Sequence, residues 1–123
     1  MLNPDDTRGI GAVVTKALIH TSDRLGLTAR ELAIVIGVSE ATVSRMKREK
    51  FRLDPRKKPF ELAVLLLRMF QSLDAIVGGD NEAAAAWIAN PNKLLDARPI
   101  EKIQTVSGLV DVIAYLEARR TLG

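Results

Sequence analysis

The sequence predicts an all-α protein with a helix-turn-helix in its N-terminal half. Three observations predict it. Apolar residues recur every three or four positions along most of the chain, and no stretch alternates as a half-buried strand does. Residues that start helices stand at the head of these runs: Thr28 with Glu31, Ser39, Asp80 or Asn81, Pro99, and Thr105 or Ser107. Glycine and proline punctuate the runs at Gly37, Pro55, Pro59, Gly78-Gly79 and Pro91. Seven or so helices are expected on this pattern.

The first helix is expected over Thr7 to Leu25, with Ile10, Val13, Val14, Ala17 and Leu18 on its apolar side and a start weakened by Gly9 and Gly11. His20 is the only histidine and lies in this helix. With no cysteine and no second ligand near it, it reads as structural rather than catalytic or metal-binding.

Residues 28–47, TARELAIVIGVSEATVSRMK, are two short amphipathic helices with a turn between them. Thr28 and Glu31 form a capping box, in which each side chain accepts from the other's backbone N–H. Leu32, Val35 and Ile36 supply the buried stripe, and Ala33 is small where the helices cross. Gly37 suits a left-handed turn that other residues enter only at a cost. Val38 packs inward and Ser39 caps the second helix. Val43 and Met46 recur on its inner face, which leaves Glu40, Thr42, Ser44, Arg45, Lys47 and Arg48 outward. A second helix presented in this way fits the major groove of DNA.

The charge distribution points the same way. From Arg45 to Lys58 there are eight Lys/Arg and two Asp/Glu, while the whole chain of 123 residues nets only +3. The positive charge is therefore local, and it lies where phosphates would. Arg45 is the expected base contact, because arginine pairs bidentately with guanine. Ser39, Thr42, Lys47 and Arg48 are expected at phosphates, with Glu40 and Ser44 on the same exposed side. The joint from Lys47 to Glu61 is broken by Pro55 and Pro59. Phe51 and Leu53 tuck under the motif. Arg52, with Arg56, Lys57 and Lys58, either touches the DNA backbone or forms a solvated linker.

A strongly apolar helix is expected from Glu61 to Val77, ended by Gly78-Gly79. Leu62, Leu65, Leu66, Met69, Phe70, Leu73, Ile76 and Val77 cover more than one face, with Arg68, Ser72 and Asp74 as the polar side. Two readings stay open for so wide a stripe. It is all core, or Leu62, Leu66, Met69, Phe70 and Leu73 are shared with a second copy in a homodimer. A helix containing the single Trp87 follows and ends at Pro91; a turn holding Asn90, Asn92 and Asp96 leads to a short helix at Pro99. In the last helix Leu109, Val110, Val112, Ile113 and Leu116 are apolar.

Composition excludes several classes. With 47% hydrophobic residues the chain can bury a core, and mixed charge at 27% argues against global disorder. The absence of cysteine removes disulfides and thiolate zinc sites. The apolar run Leu62 to Leu67 is far below the roughly 20 residues that span a bilayer. The polar, acidic N-terminus is no secretory signal. A cytoplasmic protein with no membrane partner is expected. There is no nucleophile–base pair, phosphate-cradling loop or metal cluster, so neither an enzyme nor a cofactor is expected.

At this point a resemblance emerges. Trp87-Ile88, Asn90-Pro91-Asn92, Leu95, Arg98-Pro99-Ile100, Thr105, Gly108 and Val112 resemble the C-terminal toxin-binding domain of the Xre/MbcA/ParS antitoxin family. TSDRLGLT and AIVIGVSEATVSRMK resemble that family's Xre/Cro-like helix-turn-helix. One departure stands out. Where the family often has glycine before the proline, this chain reads Leu95-Asp96-Ala97-Arg98.

The resemblance implies a helix-turn-helix domain over residues 1–58 and a helical dimerisation and toxin-binding domain over 59–123. It implies an antitoxin of a type II toxin–antitoxin system whose toxin is a RES-domain protein, one that consumes NAD or modifies a target with it. The antitoxin would silence that toxin, bind operator DNA to repress its own operon, and act as a homodimer within a larger hetero-oligomer. The candidate toxin contacts are Trp87, Asn92, Tyr115, Arg119, Arg120, Leu122 and Gly123. The last residues form a tail able to plug the toxin's NAD cleft, with Leu122 and the terminal carboxylate inside and the two arginines at its rim. Two alternatives accompany this reading: Trp87 and Tyr115 are core, or the protein is a transcription regulator whose C-terminal half senses a ligand or only dimerises.

Overall fold

A computed structural model describes residues 4–122, with side chains described from Gly9 onward. Seven α-helices follow in order: α1 (Pro4–Leu25), α2 (Ala29–Ile36), α3 (Glu40–Lys47), α4 (Lys58–Val77), α5 (Asn81–Ala89), α6 (Pro99–Lys102) and α7 (Val106–Leu122). Among the described residues there is no strand. The sole β-type pairing is an isolated bridge between Asn92 and Ala97.

The helix ends follow local chemistry. Thr28 Oγ1 accepts from the Glu31 N–H at 3.0 Å, and Glu31 Oε1 accepts from the Thr28 N–H at 2.9 Å, which closes the capping box. Gly37 takes φ 75° and its N–H returns to the Ala33 carbonyl. This left-handed step lets α3 turn back across α2. Ser39 Oγ accepts from the Thr42 N–H and Asp80 Oδ1 from the Ala83 N–H, each at 3.1 Å. α4 starts at Lys58, before the expected Glu61, because Pro59 falls in the first turn, where its missing N–H costs nothing.

α4 is the shared wall of the molecule and packs against α7, α1, α2 and α5. Its inward side is Ala63, Leu66, Met69, Phe70, Ser72 and Leu73. This corrects two expectations. Leu66, Met69, Phe70 and Leu73 are fully or almost fully buried by helices of the same chain, so they cannot also face a second copy. Of the residues assigned to a dimer seam, Leu62 alone retains partial exposure. Ser72, assigned to the polar side, is buried as well. α1 also differs from expectation. It begins at Pro4 and runs through both glycines, and its inward side is Thr15, Leu18, Thr21, Ser22 and Leu25. Val13, expected inside, is 69% exposed. At the N-terminal part of this side the neighbouring backbone comes close. The Leu53 carbonyl lies against Gly11, and Thr15 Oγ1 accepts from the Leu53 N–H at 2.9 Å.

One polar knot joins α1 to α4 and α5. Arg24 donates to Asp74 Oδ1 and Asn81 Oδ1, both at 2.7 Å, while its guanidinium lies 4.6 Å above the Phe70 ring. Partly shielded, charge-assisted bonds of this kind are about twice as strong as neutral ones.

Candidate nucleic-acid interface and C-terminal surface

α3 lies on the outside of the N-terminal half, the head formed by α1, α2 and α3. Glu40, Ser44, Arg45 and Lys47 are exposed along it, and Arg48 follows at its C-cap. Thr42 does not join them. It is 9% exposed, and its hydroxyl lies 3.0 Å from Ser39 Oγ and accepts from Arg45 Nη2 at 3.1 Å. The chain of contacts from Ser39 through Thr42 to Arg45 draws the arginine toward the N-terminal end of α3, the end that reads bases when such a helix docks. Thr42 is thus a support for Arg45 and not a phosphate contact. Arg45→Ala is expected to remove about 1–3 kcal/mol of discrimination at one base position. Gel-shift competition between operator variants measures it, and unchanged preference would rule the contact out.

The basic joint sorts into engaged and available cations. Arg56 donates to both Asp54 oxygens at 3.1 and 3.0 Å, and its N–H donates to Asp54 Oδ1 at 2.9 Å. The Arg56 side chain, followed by its backbone N–H, holds the Asp54 carboxyl down from 3.8 to about 2. Asp54 thereby raises Arg56 in turn. The folded protein therefore gains from this pair above the ordinary carboxylate range and loses the gain as pH falls toward about 2. Lys58 pairs with Glu61 at 3.1 Å. Arg52, Lys47, Arg48 and Lys57 form no ion pair among the described residues. Asp54→Asn is expected to free Arg56, to raise affinity for all DNA sequences alike, and to steepen the salt dependence by roughly one phosphate contact. Fluorescence anisotropy across a salt series reads this directly.

On the opposite part of the molecule, Trp87 of α5 stacks on Tyr115 of α7 with centroids 6.2 Å apart and planes 19° from parallel. Arg119 lies 5.6 Å from the Tyr115 ring on the same helix. Trp87 and Tyr115 are half-buried against the core, so the pair both packs and presents an edge. α7 stays helical to Leu122, which is 89% exposed, and Arg119 and Arg120 are exposed beside it. The tail is thus helical to the last described residue. Gly123 lies outside the described residues. Arg68 grips both oxygens of Glu117 at 2.8 and 3.0 Å, which fixes the last turns of α7 to α4.

Asn92 has a local task. Its Oδ1 accepts from the Leu94 and Leu95 N–H groups at 2.9 and 3.1 Å, and its own N–H reaches the Ala97 carbonyl at 3.0 Å. Asp96 takes φ 56°, the left-handed conformation a glycine would supply, which aspartate tolerates better than most residues. The turn therefore survives the substitution noted in the sequence. It presents Leu94, 77% exposed, at its tip. No sequence signal distinguished Leu94, or the pairing of Arg56 with Asp54, in advance.

A basic recognition helix on a small all-helical head, with a separate helical surface behind it, defines a helix-turn-helix protein with an appended interaction domain. Residues 6–68 match the antitoxin Xre-like helix-turn-helix domain, and residues 72–121 match the antitoxin Xre/MbcA/ParS C-terminal toxin-binding domain. The chain belongs to the Xre/MbcA/ParS antitoxin family, with the two-part organisation of a type II antitoxin. No curated protein matches it significantly. None of the described helices is long and apolar enough to cross a membrane.

Proposed function

We propose that this antitoxin neutralises a RES-domain toxin by seating the C-terminal end of α7 in the toxin's NAD cleft, and that it represses its own operon through α3. The observation that carries the first half is the exposed helical end Arg119-Arg120-Thr121-Leu122, anchored by Arg68–Glu117 and flanked by the Trp87–Tyr115 stack. A preordered element loses little entropy on docking. It offers one apolar tip to the cleft and two cations to acidic groups at its rim. Trp87 and Tyr115 serve as the edge anchors, and Asn92 acts by holding its loop. The identity of the toxin rests on the family resemblance.

The second half rests on the arrangement of Arg45, Lys47, Arg48 and Arg52 on or just after α3. In this reading two copies bind paired half-sites, the complex is a larger hetero-oligomer of toxin and antitoxin, and both proteins meet in the cytoplasm. With Leu66, Met69, Phe70 and Leu73 occupied internally, the contact between copies lies elsewhere than on the inner side of α4. Co-expression with the product of the neighbouring reading frame tests the proposal. Rescue of growth, co-purification and a complex by light scattering are the expected results. A neighbouring product that stays lethal, or separates from this chain on purification, overturns it.

A further inference from the structure

A cavity lies between α1 and the end of α3, on the side that the segment after α3 closes. Its volume is about 470 Å³, within the range of small-molecule sites and short for an extended peptide. Ile19, Met46 and Phe51 line its floor, and Ala12 leaves room beside them. Lys16, His20, Lys47 and Arg52 stand around it, faced by Asp23 and Glu49. Its wall is held in shape from two sides. Thr15 accepts from the Leu53 N–H, which fastens the segment to α1, and Glu49 sits at φ 59°, a backbone conformation that costs energy for a glutamate.

We propose that this groove binds a small amphipathic anion, an apolar body carrying a carboxylate, sulfonate or phosphate, and that its occupation competes with DNA. Charge selects the ligand. Lys16, Lys47 and Arg52 form no ion pair among the described residues and outnumber the two carboxylates, so a buried apolar body with an anionic end meets net positive charge. Shape selects its size, since the groove is bounded by α1, α3 and the segment from Glu49 to Arg52. The consequence for DNA rests on the reading of α3 as the DNA-binding helix: Lys47 and Arg52 can compensate a ligand anion or a DNA phosphate, but not both at full strength.

The test uses the whole chain and the fluorescent anion anilinonaphthalene sulfonate. Saturable binding is expected, weakened about five- to tenfold by Lys16→Glu, an exposed change at the rim, and about twofold by Lys16→Gln. Circular dichroism verifies the fold of each variant. Operator DNA is expected to displace the probe from the wild type. Absence of saturable binding, or equal affinity in wild type and Lys16→Glu, overturns the site. Binding that depends on Lys16 but ignores saturating operator overturns the competition. A chain that binds no operator at all refutes the reading of α3 and leaves the groove judged by the probe titration alone.

Discussion

Truncation after Ala118 is expected to yield a folded protein that no longer protects cells from its toxin. Residues Arg119 to Leu122 are exposed, so their loss removes little buried area. The main local cost is the contact of Arg119 with Tyr115, worth about 0.5–1 kcal/mol at an exposed site. The Tm is therefore expected to fall by no more than a few degrees. Toxin affinity is expected to fall at least a hundredfold, because truncating central interface residues costs about 2–4 kcal/mol each. Growth rescue and calorimetry of the purified pair measure the two effects separately. Full protection by the shortened chain excludes the plug and moves neutralisation to the Trp87–Tyr115 edge or the Leu94 turn.

Gly108→Ala and Gly9→Ala are expected to act in opposite directions, although both replace a glycine in a helix by the best helix former. A Cβ at Gly108 would fall on the Lys102 carbonyl and within 2.9 Å of Thr105 Oγ1, the atom that accepts from the Gly108 N–H and caps α7. The carbonyl is backbone and cannot swing aside, so α6 must part from α7. Overpacking of this kind costs typically about 1–3 kcal/mol, and a Tm fall of roughly 10 °C follows at the upper end. At Gly9 a Cβ meets nothing within 4 Å. There alanine restricts the unfolded chain and gains about 0.5–1 kcal/mol. Thermal denaturation of the two variants reads the sign, and a rise for Gly108→Ala would falsify the close approach of α6 to α7.

Much of the fold was legible because its signals are local. The capping box at Thr28 and Glu31, the cap at Ser39 and the turn at Gly37 depend on atoms a few residues apart and form as read, and of Asp80 and Asn81 it is Asp80 that caps α5. What escaped the sequence depends on neighbours far along the chain. Periodicity measured the width of the apolar stripe on α4 but not what covers it, and the cover proved to be α1, α2, α5 and α7. Val13 has the pattern of an inner residue, yet α1 turns Thr15 inward, where its hydroxyl meets the Leu53 backbone. Thr42 looks like a polar surface residue until its hydroxyl is seen bonded between Ser39 and Arg45. The basic run gave the location of the charge. Only the structure separated Arg56 and Lys58, already paired, from Lys47 and Arg52.

The Arg24 knot bears on how the molecule comes apart. If α1 departs, Asp74, Asn81 and Phe70 all lose the Arg24 guanidinium, and if α4 or α5 departs, Arg24 itself loses a partner. The N-terminal and C-terminal halves are therefore expected to melt together in one calorimetric peak. If α3 holds the operator as proposed, a protease that nicks the C-terminal half would also end DNA binding, with no separate signal needed to link the two losses.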